Sequence, residues 1–183
     1  ILSRILAEIQ EGNLSDKQLE FANTVHTSGK DLLDLINEIL DLAKVESGRM
    51  EISLSRVRTS ELVQAMRRMF EPVAERTGLD FATELAPDCP EVLVTDSKRL
   101  TQVLRNLLSN AFKFTEEGEV ALRIGRPAPD APLADSGLER EEAVAFQVAD
   151  TGVGVPGDKQ EVIFEAFKQA DGTTSRKFGG TGL

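Results

Sequence analysis

The 183-residue sequence contains one cysteine, one histidine and no apolar run approaching the roughly 20 residues of a membrane-spanning helix. Cys89 has no second cysteine with which to pair, so an internal disulfide is excluded, which fits a reducing compartment. No signal-peptide pattern is present. We therefore expect a cytoplasmic segment without direct membrane contact, either of an unanchored protein or of the cytoplasmic part of a membrane-anchored one.

Basic residues are also scarce. The 21 Lys and Arg residues are outnumbered by 31 Asp and Glu residues, which gives a net charge of −10. A nucleic-acid-binding domain usually presents a basic face, so we exclude nucleic acid as a partner. A smaller anion remains compatible with this charge, because backbone N–H groups, a metal ion and one or two lysines can hold it locally.

Both ends of the sequence look like the interior of a domain. Ile1–Ile9 has helical apolar spacing without a preceding cap, and Leu183 follows a glycine-rich run. We interpret the sequence as a fragment that is truncated at both ends.

Residues 1–48 have the pattern of two helices joined by a loop, and we assign them to a partial domain, a helical hairpin. The second helix begins at Ser15, because Ser15–Gln18 has the capping-box form S-x-x-Q and Leu14 can pack on Leu19. It ends near Glu46, before a Ser-Gly pair.

This second helix carries two apolar rows, the first with spacings that alternate between four and three residues. A helix with two apolar rows meets neighbours on two sides, so we expect two hairpins to pair as a four-helix bundle in a homodimer. The alternative is that the helix packs on the following domain of its own chain. The rows are Phe21, Val25, Ser28, Leu32, Leu35, Ile39 and Leu42, and Ala22, Leu33, Ile36, Leu40 and Ala43.

Residues 49–183 show strand and helix patterns in turn and are assigned to a second domain. Because regular βαβ repetition is missing, this order indicates an α+β fold, an α/β sandwich in which one mixed sheet is covered by helices. Arg126–Leu138, rich in Pro, Ala and Asp, is predicted to be an exposed loop. The predicted strands are Met50–Leu54, Asp80–Leu85, Glu91–Val94, Glu119–Ile124 and Ala143–Ala149, and the predicted helices run from Thr59 or Ser60 to Gly78, over Ser97–Phe114 and near Val162–Phe167.

The helix predicted at Ser97–Phe114 carries a first candidate site. Asn106, Asn110 and Lys113 are spaced i, i+4, i+7 and share a face that differs from the apolar stripe. Asparagine is a mediocre helix former, so two on one face invite a functional reason. An amide oxygen suits Mg²⁺ that is shared with phosphate oxygens, and a lysine can reach a phosphate; a solvated polar face is the alternative. The stripe consists of Leu100, Val103, Leu104, Leu107, Leu108 and Ala111.

A second candidate site is the segment Asp150–Gly157. If Asp150 is buried at the end of an apolar strand, it can accept a hydrogen bond from the exocyclic amine of adenine, and Gly152 and Gly154 allow close backbone approach. The segment also matches G-x-G-x-x-G, but no parallel βαβ pattern surrounds it and Pro156 interrupts the turn. We therefore reject a dinucleotide site.

A third candidate site is the C-terminal segment 164–183. Small, polar and basic residues between two glycine clusters are typical of a mobile lid over a phosphate group, which the backbone N–H groups of Gly180, Thr181 and Gly182 could cradle. A flexible terminus is the alternative. The sequence has no G-x-x-x-x-G-K-[ST] motif, which excludes a P-loop enzyme.

These segments together resemble sensor histidine kinases. Leu104–Thr115 resembles the family's N box, Asp150–Val155 its G1 box, Ile163–Phe167 its F box and Gly179–Leu183 the start of G2, in the family's order and with similar separations. Residues 1–48 resemble the later part of the dimerisation and phosphotransfer hairpin, with a likeness to bacterial hybrid kinases. Only Arg126–Glu142 falls outside the resemblance.

The resemblance implies an ATP-binding domain of the type shared by histidine kinases, gyrase and chaperones, with ATP and Mg²⁺ as cofactors. Asn110 is then the Mg²⁺ ligand, with Asn106 close to the phosphates and Lys113 a phosphate contact. Asp150 becomes the adenine contact. The remaining implied residues are Gly152 and Gly154 in the pocket floor, Phe164 and Phe167 as lid anchors, and Gly180, Thr181 and Gly182 near the phosphates.

The resemblance also implies a reaction for the intact protein. The γ-phosphoryl group of Mg-ATP passes to a histidine on the dimeric hairpin and then to an aspartate on the receiver domain of a response regulator. In the family this histidine lies in the first helix, in a segment before Ile1. His26 lacks the surrounding motif, so we interpret it as a structural or surface residue and assign no catalytic residue. We expect the fragment itself to be inactive in autophosphorylation.

Two other functions compete with this one. A non-kinase ATPase of the same nucleotide-binding fold would need a glutamate on the N-box helix to activate water, and that helix has none. A non-catalytic dimerisation and signalling module would have lost ATP binding, whereas Asn110, Asp150 and the glycines are all present.

Overall fold

The computed structural model describes residues 15–131, 133 and 139–160. Among these residues the chain divides into two compact units, one up to Glu51 and the other from Ile52 to Gln160. The predicted first helix, the staple at Leu14, the helix near Val162–Phe167 and the lid lie outside the described residues. The assignment of residues 1–48 and 49–183 to two domains stays a prediction.

Helix α1 (Asp16–Glu46) begins at the predicted cap. The backbone N–H of Gln18 donates to Ser15 Oγ at 3.3 Å, and the backbone N–H of Ser15 donates to Gln18 Oε1 at 2.9 Å. At the other end the N–H of Ser47 donates to the Ala43 carbonyl. The capping box therefore forms as predicted, and both ends of the helix are confirmed.

The apolar rows of α1 are exposed in the single chain. Val25 is 64% exposed and Leu33 62%. Apolar surface left in water costs about 25 cal/mol per Å², so a row of such side chains favours a neighbouring element that covers it. Leu35 and Leu42 belong to the first apolar row, with Val25, and their side chains are not among those that the structure describes. The exposed large side chains are Leu19, Phe21, Val25, Leu32, Leu33, Ile36, Ile39, Leu40 and Val45.

The second unit confirms both helices predicted within it and four of the five predicted strands, with bounds that shift by at most two residues. Across the described part of the chain, no helix is long and apolar enough to cross a bilayer. The elements are β1 (Ser55–Arg58), α2 (Thr59–Thr77), β2 (Asp80–Leu85), β3 (Val92–Thr95), α3 (Ser97–Phe114), β4 (Glu119–Gly125), β5 (Ala145–Asp150) and a 3-10 turn at Gly157–Lys159.

The strand predicted at Met50–Leu54 is wrong, because the strand in this region is Ser55–Arg58. Pairing with β3 begins only where Ser55 lies opposite Thr95. The N–H of Ser53 donates instead to the Asp96 carboxylate at 2.9 Å, outside any ladder. Of the alternating apolar residues that suggested a strand, Ile52 and Leu54 are solvent-exposed and Met50 is half-buried, so their spacing does not mark a buried face.

The five strands among the described residues form two sheets rather than the single sheet predicted. In the larger sheet β2 runs parallel to β4, and β4 runs antiparallel to β5, which confirms its mixed character. Strands β1 and β3 form a separate antiparallel ribbon. Apolar alternation identifies strands but does not say which edges pair, which is why the division was not predicted.

The core lies between one face of the larger sheet and helices α2 and α3. Val120, Leu122 and Ile124 of β4 are fully buried, whereas Arg123 between them is exposed, as the two-residue period of a strand requires. A cluster of three aromatic rings packs beside them. The rings of Phe70 and Phe112 stack with centroids 5.5 Å apart, and Phe81 meets both at steep angles. This packing fixes the rotation of α3 on the sheet.

Helix α3 buries a narrower stripe than predicted. Leu104, Leu108 and Ala111 are buried, but Val103 is 54% exposed and Leu107 is 42% exposed. Phe112, which lies one turn after Leu108, is buried as well. The buried stripe is therefore rotated toward Phe112, because that ring belongs to the aromatic cluster of the core.

The loop that follows β4 is exposed at Ala128–Asp130, as predicted, but Pro127 is buried and Arg126 is half-buried. Two arginines hold the base of this loop. The Arg140 guanidinium donates to the carbonyls of Pro127, Ala128 and Ala131. The Arg126 guanidinium donates to the Ala143 carbonyl at 2.9 Å. These bonds hold the segments that leave β4 and enter β5 together.

Candidate functional site

Helix α3 begins at an aspartate cap. Asp96 is 9% exposed, and its two carboxylate oxygens accept hydrogen bonds from the backbone N–H groups of Arg99, at 3.0 Å, and Ser53, at 2.9 Å. These bonds, the one from Arg99 first, lower the pKa of Asp96 because they favour the charged form. One carboxylate therefore fixes the start of α3 and the segment that precedes β1.

The predicted polar residues of α3 lie on its C-terminal half. Asn106 is half-buried, Asn110 is exposed and Lys113 is half-buried. Burial lowers the pKa of the Lys113 ammonium group. The Nζ atom of Lys113 lies 5.2 Å from the centroid of the Phe114 ring, within the range of a cation–π contact. A cation in the last turn also meets the negative end of the helix dipole.

Asp150 is the last residue of β5, as predicted, but it is exposed. The burial that the sequence analysis set as a condition for the adenine contact is therefore not found, because the residue stands where the strand leaves the sheet, and β5 pairs only with β4 among the described strands. The Oδ1 atom of Asp150 accepts a hydrogen bond from the N–H of Gly152 at 2.9 Å. The carboxylate is thus oriented by the loop that follows it.

Gly152 shows the close backbone approach that the sequence predicted. A Cβ atom at this position would overlap the carbonyl oxygen of Phe114 and lie 2.9 Å from Asp150 Oδ1. The next N–H, that of Val153, points to the same Phe114 carbonyl at 3.4 Å. The loop after β5 therefore packs, backbone against backbone, on the C-terminal end of α3, the helix that carries Asn110 and Lys113.

The same loop continues through Gly154, which is exposed and has a φ of 68°. Strand β5, which leads into it, is antiparallel to β4. A dinucleotide fingerprint requires a parallel βαβ unit at this point, so the geometry agrees with the exclusion of a dinucleotide site. The lid residues predicted from the sequence lie outside the described residues: Phe164, Phe167, Gly180, Thr181 and Gly182.

Two contributors to this region were missed from the sequence. Asp96 was not assigned as a cap, although an aspartate just before the helical pattern is a recognisable start signal. Thr151 was not singled out either, yet its hydroxyl bonds to the turn between α3 and β4. No local signal identifies Thr151, because its partners, Glu117 and Glu119, lie more than 30 residues away in the chain.

The described residues offer limited support for a metal ion on their own. They contain no group of three or more His, Cys, Asp and Glu side chains that could hold one. An ion such as Mg²⁺, which prefers oxygen ligands and keeps several waters, would therefore depend on phosphate oxygens of a ligand in addition to an amide such as that of Asn110. The donor set fits a metal that arrives with a nucleotide.

Comparison with known proteins places these elements in a family. A family model described as "Histidine kinase-, DNA gyrase B-, and HSP90-like ATPase" matches residues 95–183, which include α3, β4 and β5. The sensory/regulatory protein RpfC of Xanthomonas campestris pv. campestris (strain 8004) is 38% identical over 184 residues, covering 100% of this chain and 24% of the relative. Hybrid signal transduction histidine kinase A of Dictyostelium discoideum is 38% identical over 174 residues, covering 94% of this chain and 8% of the relative.

A solved structure is also similar to this chain over most of its length. The crystal structure of full-length ShkA in complex with AMPPNP matches with a TM-score of 0.70 and 33% identity, covering 95% of this chain and 34% of that chain. The chain spans only part of its relatives' length, 24% of RpfC and 8% of the Dictyostelium kinase. Residues 95–183 therefore match the histidine kinase-, DNA gyrase B-, and HSP90-like ATPase family, and the chain as a whole is similar to histidine kinases, a hybrid kinase among them.

Proposed function

We propose that this chain is the ATP-binding core of a protein-histidine kinase of two-component signal transduction. In the intact protein, the γ-phosphoryl group of ATP passes to a histidine on a dimerisation helix and then to an aspartate on a response-regulator receiver domain. The observation that carries the proposal is the contact of the Asp150–Gly152 loop with the C-terminal end of α3. It brings a carboxylate at the end of a strand to the C-terminal end of the helix that carries two amides and a lysine.

The adenine base is assigned to Asp150. A carboxylate has about four acceptor positions, so the bond from Gly152 leaves capacity for a further donor. Adenine presents an amine donor at the position where guanine presents a carbonyl acceptor. A carboxylate therefore attracts adenine and repels guanine at this point, which makes Asp150 a specificity determinant in the proposal.

The phosphates are assigned to the polar face of α3. Lys113 supplies a positive charge, and the amides of Asn106 and Asn110 supply uncharged polar groups on the same face. We propose Asn110, the exposed amide, as the protein ligand of Mg²⁺. When bound, Mg²⁺ would neutralise charge on the phosphate oxygens; the side chains of α3 orient the chain of phosphates and limit its motion.

The remaining site residues are proposed from the family pattern. Gly152 and Gly154 form the floor of the pocket, since no side chain at 152 fits against Phe114. The lid is assigned to the C-terminal segment, where Phe164 and Phe167 anchor it and where Gly180, Thr181 and Gly182 approach the phosphates.

The proposed partners are a second copy of the chain and a receiver domain. The exposed apolar rows of α1 support a homodimer, because pairing two such helices with their hairpin partners would cover them. The relatedness to hybrid histidine kinases supports a receiver domain as the acceptor of the phosphoryl group. Since ATP is consumed, we place the reaction in the cytoplasm.

The first prediction tests the adenine contact through Asp150→Asn in the intact protein. The amide presents an N–H₂ group as well as an oxygen, so the variant loses both charge and discrimination. Loss of a charge-assisted hydrogen bond should weaken Mg-ATP binding about 10- to 100-fold and reduce the preference for ATP over GTP. Isothermal titration with each nucleotide measures both effects.

Asp130→Asn is the matched control, because Asp130 is an exposed carboxylate in the loop after β4. This variant should bind Mg-ATP as the wild type does. If Asp150→Asn binds both nucleotides with unchanged affinity, the adenine assignment is wrong. If the wild-type protein binds no Mg-ATP at all, the proposed function is wrong and a non-catalytic signalling module becomes the better description.

A further inference from the structure

Thr151 lies between Asp150 and Gly152, and its side chain bonds to a distant segment of the chain. The Oγ1 atom accepts a hydrogen bond from the N–H of Glu119 at 3.0 Å. It also lies 3.2 Å from the carbonyl oxygen of Glu117 and 3.4 Å from that of Glu119. A hydroxyl has one proton and donates to one carbonyl at a time. The hydroxyl therefore both accepts and donates a hydrogen bond, in each case with the segment that leads from α3 into β4.

These bonds replace part of the β ladder. Since Val120 pairs with Asp150, Glu119 lies opposite Thr151 at the next position. The N–H of Thr151 donates to the Glu119 carbonyl at 3.1 Å, as in an antiparallel ladder. The return bond from the Glu119 N–H goes to the threonine hydroxyl. The side chain thus holds the last position in register while the main chain leaves the sheet.

Gly118 leaves the space that the Thr151 hydroxyl occupies. Its φ is 110°, a conformation that other residues rarely adopt. A Cβ atom there would overlap Thr151 Oγ1 and lie 3.2 Å from Thr151 Cβ. A side chain at 118 would strain the turn and displace the threonine. The glycine and the hydroxyl therefore depend on each other.

We propose that Thr151 is a positioning residue for nucleotide binding, with Gly118 as its partner. The hydroxyl joins two segments of the chain. One segment contains Thr151 with its neighbours Asp150 and Gly152, and the other is the turn that directly follows α3, the helix that carries Asn110 and Lys113. By bonding that turn, the hydroxyl sets the distance between the adenine contact and the phosphate contacts. In this role the hydroxyl acts on the nucleotide through the protein groups that it bonds. This inference rests on the proposed nucleotide site.

The test compares Thr151→Val with Thr151→Ser in the intact protein. Valine keeps the branched shape but has no donor or acceptor, whereas serine keeps the hydroxyl. We expect Thr151→Val to weaken Mg-ATP binding about tenfold and Thr151→Ser to bind within about twofold of wild type. Gly118→Ala should weaken binding at least as much as Thr151→Val, since it disrupts the same contact from the other side.

Thr77→Val is the matched control. The Thr77 hydroxyl is exposed and bonds carbonyls of Val73 and Ala74 within α2, so its loss should leave the Kd for Mg-ATP unchanged. Amide hydrogen exchange gives a readout that does not require nucleotide. The Glu119 amide should exchange faster in Thr151→Val than in wild type, and at the wild-type rate in Thr77→Val.

The outcomes separate this inference from the proposed function. Equal ATP affinity in wild type and Thr151→Val overturns the positioning role, as does a Thr151→Ser variant that is as weak as valine. If wild type binds no ATP, the proposed function fails and the positioning role for nucleotide fails with it. In that case, exchange at Glu119 still shows whether the hydroxyl holds the turn. If Thr151→Val does not fold, the Kd values of Thr151→Ser and Gly118→Ala for Mg-ATP test the inference instead. Wild-type affinity in Thr151→Ser and weakened affinity in Gly118→Ala support the positioning role, and equal affinity in the two variants overturns it.

Discussion

At residue 152 the chain has no room for a methyl group, which leads to a prediction at the scale of a single residue. In Gly152→Ala the new Cβ would overlap the Phe114 carbonyl oxygen, so the loop must move away from α3. Overpacking of this kind typically costs about 1–3 kcal/mol of the free energy of unfolding. We expect that loss together with an increase in the Kd for Mg-ATP of about tenfold or more. Urea denaturation and nucleotide titration measure the two effects.

Gly157→Ala provides the comparison, because a Cβ at 157 meets nothing within 4 Å. That variant should match wild type in both measurements. Should Gly152→Ala retain full stability and affinity, the close approach of the loop to α3 would not exist in solution.

Individual residues differ in how well their roles can be predicted from the sequence. Asp150 and Gly152 were recognisable because a carboxylate at a strand end followed by glycines is a local pattern, and the structure confirms the strand end and the close approach. The exposure of Asp150 was not predictable, since it depends on which strands flank β5. Thr151 escaped notice for a related reason, because its role depends on a turn that reaches it only through tertiary packing.

At the scale of an element, the cap of α3 links stability to pH. The pKa of Asp96 is lower in the folded protein than its ordinary value, so the folded state favours the charged carboxylate. The stabilisation is therefore fully present above the unfolded pKa, about 3.9, and is lost as the pH falls through the folded pKa. In Asp96→Asn the amide oxygen can still accept one backbone bond, but the side chain does not titrate.

We therefore predict that wild type is more stable than Asp96→Asn at neutral pH and that the difference shrinks as the solution is acidified below about pH 4. Urea midpoints measured over a series of pH values test this. Asp80→Asn, which alters an exposed carboxylate at the start of β2, should follow the wild-type curve. A constant difference between wild type and Asp96→Asn at every pH would contradict the link to Asp96.

Elements were predictable where their end signals are local. Ser15 and Gln18 predicted the start of α1, and Gly78 predicted the end of α2, without information on the elements that pack against these helices. Strand β1 was misplaced because its position depends on its pairing with β3, whereas the apolar alternation of Ile52 and Leu54 lies on exposed backbone. Helix α3 was placed correctly, but the width of its buried stripe depended on the aromatic cluster around Phe112.

At the scale of the whole molecule, the exposed rows of α1 predict self-association. Leu33 is 62% exposed in the single chain and would be buried in a four-helix bundle. Because a dimer contains each position twice, Leu33→Glu removes two buried leucines, each worth about 1.5–3 kcal/mol, and should weaken dimerisation on the order of 100-fold or more. Sedimentation equilibrium measures the change directly.

Thr27→Glu is the corresponding control, because Thr27 is an exposed polar residue outside both apolar rows of the same helix. It should leave the dimer intact. A wild-type protein that sediments as a monomer would refute the homodimer and favour the alternative in which α1 packs on its own chain.

The two arginines beneath the loop after β4 have a consequence for how this protein tolerates change. Since Arg126 and Arg140 fasten the root of that loop to main-chain carbonyls, the spacing between β4 and β5 does not rely on what lies further out. Lengthening the outer part would add only about 0.6 kcal/mol of closure entropy for each doubling. A reporter peptide grafted into the outer part of the loop should therefore leave Asp150 and the sheet as they are.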